Sequence, residues 1–133
     1  MINITDIFNI AKRDKWVVEY NPDLDSLYWS KPKISKNAQL KKFLEDFSLY
    51  ITDKGVIEGL FIEYARGNFI SHNKEYEGLI DSMVKVNNLF VLPLDKVDDV
   101  EPLLKSMAYM VGNETLDAVT NKGLNLEEFA LSR

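Results

Sequence analysis

The only histidine of the chain gives the first candidate for chemistry. His72 stands between Ser71 and Asn73, at the predicted junction of a strand and a helix. An imidazole beside a hydroxyl can act as a general base, so a small hydrolase centred on His72 is one hypothesis. Adjacent residues of an extended segment point in opposite directions, which separates these side chains. A helix-capping role for His72 is therefore the preferred interpretation.

Carboxylates near two predicted turns are candidates for metal binding. Asp23 and Asp25 would share one face of an extended strand. Together with Asp53 or Glu58 they offer oxygen ligands to a hard cation. Turn formation already explains the two aspartates, and the loop lacks the further acidic positions of an EF-hand. The chain also has no P-loop and no glycine-rich dinucleotide fingerprint, so the sequence predicts neither a metal site nor a cofactor.

A basic stretch next to two aromatic residues suggests nucleic-acid binding. Five lysines occur between positions 31 and 42 without an acidic residue. Lysines can neutralise phosphates, and aromatic rings can stack on bases. Because the rest of the chain is neutral or acidic, a solvated connector that protects a sheet edge is preferred. The nucleic-acid candidates are Tyr28, Trp29, Lys31, Lys33, Lys36, Lys41 and Lys42.

The acidic residues concentrate in the second part of the chain. Residues 1–72 hold ten basic and ten acidic side chains, whereas residues 73–133 hold six and eleven, which accounts for the net charge of -5. Such a region can be a solvated surface, but it also attracts a basic protein. The leading hypothesis is a non-enzymatic interaction module, antitoxin-like or regulatory, with apolar anchors in the last helices. The candidate partner-binding residues are Asp95, Asp98, Asp99, Glu101, Leu126 and Phe129.

Composition narrows the class of protein. The absence of cysteine excludes disulfides, thiolate metal sites and cysteine nucleophiles, which suits a reducing cytosol. No apolar stretch approaches the roughly 20 residues of a membrane span, and the first residues lack a basic leader. A chain of 133 residues with 46% hydrophobic content suits one domain. We expect a cytoplasmic protein without a membrane segment.

Two β-hairpins form the predicted centre of the fold. The first joins strands at 16–20 and 27–30 through the turn Asn21-Pro22-Asp23, and the second joins 48–52 and 56–64 through Asp53-Lys54-Gly55. Gly59 predicts a bulge or a close backbone approach.

Helices are expected on either side of these strands. A short amphipathic helix is predicted at 3–14, and helical spacing of Leu40, Phe43, Leu44 and Phe47 predicts a short helix or ordered crossover. A sheet region therefore spans 15–72, and an acidic helical region spans 73–133.

The acidic region should contain several helices. One begins near Asn73 and continues to Val84, and residues 89–92 form either a short strand or a connector. Asp95 would cap a third helix that Gly112-Asn113 ends, and Asn125 would cap a last turn through Phe129. The predicted fold is α+β: an antiparallel sheet of about four strands packed against helices, with a helical C-terminal half. A homodimer through a strand edge or the last helix is an open alternative.

Residues 16–64 resemble a small prokaryotic domain of unknown function. Its members open with a Tyr-Asp-Pro-x-x-Asp-x-Leu-Tyr hairpin and close with an Ile-Val-Gly-Ile-Glu-Ile strand. The corresponding stretches here are 20–28, with Asn21 in place of Asp, and 56–63, with Glu58 inserted. The resemblance implies a compact antiparallel sheet with a helix, no catalytic residues to carry over, and genes that neighbour toxin-like reading frames.

Overall fold

Seven strands and three α-helices make up the described part of the chain. The structure is a computed structural model that describes the backbone of residues 7–122 and the side chains of residues 7–42 and 45–113. The helices are α1 (Ile7–Arg13), α2 (Glu77–Asp81) and α3 (Val97–Lys122). The strands are β1 (Val17–Asn21), β2 (Ser26–Ser30), β3 (Ala38–Leu44), β4 (Phe47–Thr52), β5 (Ile57–Ile62), β6 (Val84–Val86) and β7 (Leu89–Val91). A π-helical segment (Ala65–Ile70) and 3-10 turns at Lys74–Tyr76 and Leu94–Lys96 lie between them.

The strands form one antiparallel sheet in the order β3-β4-β5-β2-β1-β7-β6. Sequential hairpins make most of its pairs, but β2 pairs with β5 and β1 pairs with β7 across long stretches of chain. The predicted α+β class, with an antiparallel sheet and a helical C-terminal part, is confirmed. The predicted count of about four strands is too low, because β3 and the β6–β7 hairpin also join the sheet.

Both predicted hairpins are present. In the first, the Asn21 side-chain carbonyl accepts the backbone N–H groups of Asp23 and Leu24 at 3.0 and 3.3 Å, which closes the turn. In the second, Gly55 has φ of 83°, a conformation that glycine adopts without a steric cost. Turn chemistry in the sequence was therefore a sound guide to these two local pairings.

The segment predicted as a helix or crossover is instead the edge strand β3. It pairs with β4 from Ala38 to Leu44, with a register shift between Lys42 and Leu44. That shift breaks the two-residue alternation by which a strand is recognised, and it leaves a spacing that imitates a helix. Pairing with β4 satisfies the backbone groups of β3 along one side. This pairing favours a strand over the helix that the local pattern predicts.

The first part of the acidic region also differs from the prediction. The helix after Asn73 ends at Asp81, and Val84 belongs to strand β6. Asn87, with φ of 57°, turns β6 back into β7, so residues 89–91 are a strand and the connector alternative is wrong. These strands extend the sheet into the region predicted to be helical.

Helix α3 runs through Gly112 without a break, so the predicted stop at Gly112-Asn113 is wrong. Its buried positions Val100, Leu104, Met107 and Val111 follow helical spacing against the sheet. Glycine inside a helix costs about 1 kcal/mol relative to alanine, which packing of a long apolar face easily outweighs. Asp95 lies within the preceding 3-10 turn, and the predicted last turn at 125–129 falls outside the described residues.

One face of the sheet carries the core. Side chains of neighbouring strands meet there in rows such as Trp29, Leu60 and Leu49, all at most 3% exposed. Helix α1 and helix α3 pack on these rows through residues such as Ile7 and Met107. We call this the inner face of the sheet and the opposite side the outer face.

Asp25 ties the first hairpin to the chain that follows β5. Its carboxylate accepts hydrogen bonds from the Tyr20 hydroxyl at 2.7 Å and from the backbone N–H groups of Arg66 and Gly67 at 2.8 and 3.0 Å. Partial burial alone would raise the pKa of Asp25, but these hydrogen bonds to the ionised form together lower it. Burial, and then the bond to Asp25, raise the pKa of Tyr20 to about 12, so its hydroxyl stays protonated and donates.

A β-bulge at the start of β5, in its pairing with β4, fixes the other end of the contact between β2 and β5. The register passes from Tyr50 opposite Gly59 to Ile51 opposite Ile57, which leaves Glu58 as the extra residue. The buried Glu58 carboxylate accepts the Ser35 hydroxyl at 2.6 Å and the Ser35 N–H at 2.8 Å. A Cβ on Gly59 would lie 2.4 Å from the Ser30 Cβ, so the close approach predicted as one alternative for Gly59 is confirmed, and the bulge lies beside it at Glu58.

Gly59→Ala should lower the free energy of unfolding by about 1–3 kcal/mol, because strands β2 and β5 would have to separate. Chemical denaturation measures the change. Gly78→Ala is the matched control: its Cβ would meet only the Leu103 side chain at 3.7 Å within α2, so it should raise stability by up to about 1 kcal/mol. Equal effects of the two substitutions would contradict the close approach at Gly59.

Asp25→Asn should destabilise the protein by about 1.5–3 kcal/mol at neutral pH, because an amide cannot accept all three hydrogen bonds. Since the pKa of Asp25 is lower in the folded than in the unfolded chain, its stabilisation is complete above the unfolded value of about 4 and is lost as pH falls through the folded value. Denaturation curves of wild type and variant should therefore converge in acid. Asp23→Asn, on the exposed part of the same turn, should stay within about 0.5 kcal/mol of wild type at every pH.

Candidate functional site

A mostly apolar pocket lies between α1, the start of α3 and the inner face of the sheet. Its volume is about 230 Å³. Aromatic and aliphatic side chains form most of its wall, and two lysines and two acids stand among them. The lining residues are Phe8, Ala11, Lys12, Lys15, Trp16, Val18, Trp29, Leu94, Val97, Asp98, Glu101 and Leu104. Pockets of this composition are the usual default for a binding site.

The end of helix α1 places Trp16 in this wall. Lys15 adopts φ of 54°, and the N–H of Trp16 bonds the Ala11 carbonyl at 2.9 Å while the N–H of Lys15 reaches the Lys12 carbonyl at 3.4 Å. This is the bonding pattern of a Schellman motif, in which the residue after the left-handed position turns back onto the helix. The motif sends the chain from α1 directly into β1, with the indole of Trp16 buried.

Two tryptophans form a rigid part of the pocket wall. Trp16 and Trp29 meet edge to face, with ring centroids 5.6 Å apart and planes at 83°. Both are nearly buried, at 5% and 3% exposure. The indole Nε1 of Trp16 is buried and has no hydrogen-bond partner among the described residues. An unpartnered buried donor is costly, so this nitrogen is a point of local destabilisation beside the pocket.

Acidic side chains dominate the α3 side of the pocket rim. Lys12 Nζ of α1 lies 3.4 Å from Glu101 Oε1 of α3, an ion pair that spans the two helices. Asp98 lines the pocket and makes no ion pair within the described part of the chain. Pro102 has no N–H, so it cannot bond the Asp98 carbonyl, which leaves another acceptor at this rim.

The rim also carries an exposed apolar residue. Leu94 begins the 3-10 turn before α3, and 77% of its surface is exposed. Asp95 follows it, and Asp98 and Asp99 occupy the first turn of α3. Acids at this end of a helix are favoured by the helix dipole, which explains part of their presence without any partner. The dipole does not account for the exposure of Leu94.

The structure brings the predicted partner-binding acids together. Asp95, Asp98, Asp99 and Glu101 occupy consecutive turns, and Asp98 and Glu101 line the pocket itself. The predicted apolar anchors Leu126 and Phe129 fall outside the described residues. Leu94 and the pocket wall supply exposed or accessible apolar surface beside the acids instead.

The residues predicted for nucleic-acid binding do not form one surface. Tyr28 points to the outer face, whereas Trp29 is buried on the inner face. Lys41 is also buried, at 9% exposure, opposite Leu49 on the inner side of β3.

The remaining lysines are only partly available to phosphates. Lys31 Nζ lies 3.5 Å from Glu58 Oε2, and Lys42 Nζ lies 3.8 Å from Glu63 Oε2. Lys33 and Lys36 are exposed on the loop between β2 and β3. The basic stretch is thus divided between two faces, a loop and two ion pairs.

His72 is held in a capping arrangement. Its Nδ1 lies 2.8 Å from the Asn68 carbonyl oxygen, which can only accept, so Nδ1 donates. The Ser71 hydroxyl lies 2.9 Å from that same carbonyl and 3.1 Å from the Gly67 carbonyl, and it donates to them. Since the proton of Ser71 is directed to the backbone and Nδ1 is a donor, this pair does not have the geometry of an activated nucleophile.

No group of three or more histidine, aspartate or glutamate side chains within the described residues is arranged to hold a metal ion. Asp25 and Glu58 each bond to backbone and side-chain donors, as described above. No helix in the same part of the chain is long and apolar enough to cross a membrane.

The α1 side of the pocket was not predicted from the sequence. Phe8 and Lys12 belonged to a predicted helix without an assigned site, and Trp16 was assigned only to a strand. This side of the pocket meets α3 where Lys12 contacts Glu101, 89 residues further along the chain. The Schellman motif that places Trp16 is also hard to recognise in the sequence. Its left-handed position is occupied by Lys15, whereas glycine is the usual residue there.

Nothing matches this chain among the family models, the curated proteins or the solved structures with which it was compared. The resemblance of residues 16–64 to a small prokaryotic domain therefore stays a prediction.

Lys15→Gly should raise the free energy of unfolding by up to about 1 kcal/mol, because the left-handed conformation costs an L-residue roughly 1–2 kcal/mol and glycine gives back part of this as entropy. Thermal or urea denaturation measures the change. Lys96→Gly, in the 3-10 turn before α3 and without a positive φ, should instead lower stability. A loss of stability in Lys15→Gly would contradict the Schellman motif that positions Trp16.

Proposed function

We propose that this protein is a non-enzymatic interaction module that binds a basic protein partner through the pocket between α1 and α3 and its acidic rim. In this function it acts as an antitoxin-like or regulatory protein: the partner's activity changes because a basic segment of the partner is occupied. The observation that carries the proposal is an apolar pocket, walled by Trp16 and Trp29, whose α3 side is acidic.

The size of the pocket favours a side chain as its occupant. A volume of about 230 Å³ is smaller than the roughly 300–1,000 Å³ of sites that enclose drug-sized ligands. One large aliphatic or aromatic side chain fits such a space. Interfaces commonly gain most of their affinity from one anchor of this kind seated in a preformed pocket.

The rim indicates the charge of the partner. Asp95, Asp98 and Asp99 are exposed and make no ion pair with other described residues. A lysine or arginine beside the anchor residue would meet them, and complementary charge would speed encounter and fix the orientation. The exposed Leu94 would be covered by the same segment.

The proposal can be tested with defined peptides. The full-length protein would be used to select from a library of random linear peptides, with counter-selection on a Val97→Phe variant whose larger side chain fills the pocket mouth. Selected peptides should carry one large apolar residue next to lysine or arginine. Trp16 and Trp29 are the only tryptophans of the chain and both line the pocket, so their fluorescence reports binding directly.

Binding of a selected peptide should weaken by about tenfold in Asp98→Lys and should fall with increasing salt. Val56→Phe and Asp23→Lys are the matched controls, since both residues are exposed and neither lines the pocket. Circular dichroism confirms that each variant is folded. Selected peptides that are acidic, or that bind Val97→Phe and Asp98→Lys as tightly as wild type, would overturn the proposal.

A further inference from the structure

The outer face of the sheet carries several apolar and aromatic residues. One cross-strand row runs over all seven strands, and a second row runs beside it. The first row consists of Val84, Val91, Glu19, Tyr28, Phe61, Ser48 and Lys42, and the second includes Val17, Ser30, Gly59, Tyr50 and Leu40. An antiparallel sheet with one solvated face normally alternates apolar and polar residues, so polar side chains are expected at most of these positions.

This surface is separate from the core. Phe61 is only 9% exposed, yet it does not belong to the cluster of buried residues on which the described helices pack. It packs instead against Tyr28, with ring centroids 4.8 Å apart. At the β6 end of the sheet, Val84 and Val86 remain about half exposed, at 50% and 49%. Strand β5 is already buried at all six of its positions within a single copy, so the accessible part of the outer face lies on the other strands.

We propose that the outer face is a self-association surface on which a second copy of this chain packs face to face. The two sheets would stack as in a β-sandwich, with Tyr28 and Phe61 at the centre of the contact. This inference does not depend on the proposed pocket function, because the pocket lies on the inner side of the sheet.

The dimensions of the sheet fit a small, reversible dimer interface. Seven strands spaced by about 4.8 Å span roughly 30 Å, and their mean length of five residues corresponds to about 17 Å. Each copy thus offers on the order of 500–600 Å², or about 1,000–1,200 Å² for the pair, which is at the lower limit for a specific interface. We therefore expect an affinity in the micromolar range or weaker.

The distribution of residue types also matches an interface. Tyr28 and Phe61 lie on β2 and β5, near the middle of the sheet, and aromatic residues at the centre are typical of strong contacts. The ion pair between Lys42 and Glu63 lies toward the β3 edge, where a rim would remain wet. Partial burial within the monomer raises the pKa of Tyr28 and of Tyr50, so both hydroxyls stay protonated at neutral pH.

Glu19 is the charged residue nearest the centre of the face. A carboxylate is stable in an interface only when donors reach it. The hydroxyls of Tyr28 and Tyr50 make no hydrogen bond to other described residues, so in a two-fold arrangement they can donate to Glu19 of the other copy. The same acids, Glu19 and Glu63, make this face unsuited to the phosphates of a nucleic acid.

Sedimentation velocity of the full-length protein over a wide range of concentrations tests the proposal. The wild type should show a monomer–dimer equilibrium, and Tyr28→Lys and Val86→Lys should each weaken association by at least about tenfold. Val56→Lys is the matched control, because Val56 is 53% exposed in the β4–β5 turn, away from the two rows. Val97→Phe should also dimerise normally, which separates this surface from the pocket.

A second measurement covers the case in which Tyr28→Lys fails to fold. In a mixed sample of isotope-labelled and unlabelled wild type, intermolecular NOEs should involve Tyr28, Phe61 and the methyl groups of Val84 and Val86. A monomer at all concentrations, or NOEs that map to another surface, would overturn the proposal. Binding of a single-stranded oligonucleotide to Tyr28 and Phe61 in place of a second copy would overturn it as well.

Discussion

Pairing between β2 and β5 is the constraint on which the rest of the structure depends. It is the single contact in the strand order that joins the half β3-β4-β5 to the half β2-β1-β7-β6. A carboxylate fixes each end of this pair. Asp25, just before β2, accepts backbone N–H groups that follow β5, and Glu58, in the bulge of β5, accepts donors from the loop that follows β2. The close approach at Gly59 lies between these two anchors.

Both carboxylates illustrate how burial and hydrogen bonding compete. Burial would raise the pKa of Asp25 and of Glu58, yet both are lowered because several donors converge on each ionised group. For Glu58 these donors are the hydroxyl and N–H of Ser35, with the charge of Lys31 nearby. The bulge thus directs the Glu58 carboxylate toward the loop between β2 and β3 and holds that loop in place. Lys31 of the basic stretch therefore contributes to the fold.

The same strand pair sets the two surfaces of the molecule. Trp29 of β2 points to the inner face, where it meets Trp16 and forms the pocket wall, while its neighbour Tyr28 points to the outer face and meets Phe61. The centre of the sheet therefore carries the pocket on one side and an aromatic pair on the other. The two proposals use opposite faces, so one copy could bind a basic partner and a second copy at once.

The sequence by itself determined the local features of this protein. The turn residues Asn21-Pro22-Asp23 and Gly55 predicted two hairpins, and Gly59 predicted a close approach of two strands. The acidic residues before and within α3 were predicted as one group. These features depend on backbone conformation and on residues a few positions apart. Strand β3 and the continuity of α3 were misjudged because pairing and burial overrode their local patterns.

Only the tertiary structure decided where the pocket lies and which side chains share a face. The ion pair of Lys12 with Glu101 and the contact of Trp16 with Trp29 join residues that no local pattern relates. The alternation of a strand places neighbours such as Tyr28 and Trp29 on opposite sides, but it does not say which side the helices will cover. Long-range packing makes that choice, because burial energy depends on the whole set of contacts rather than on the residues of one element.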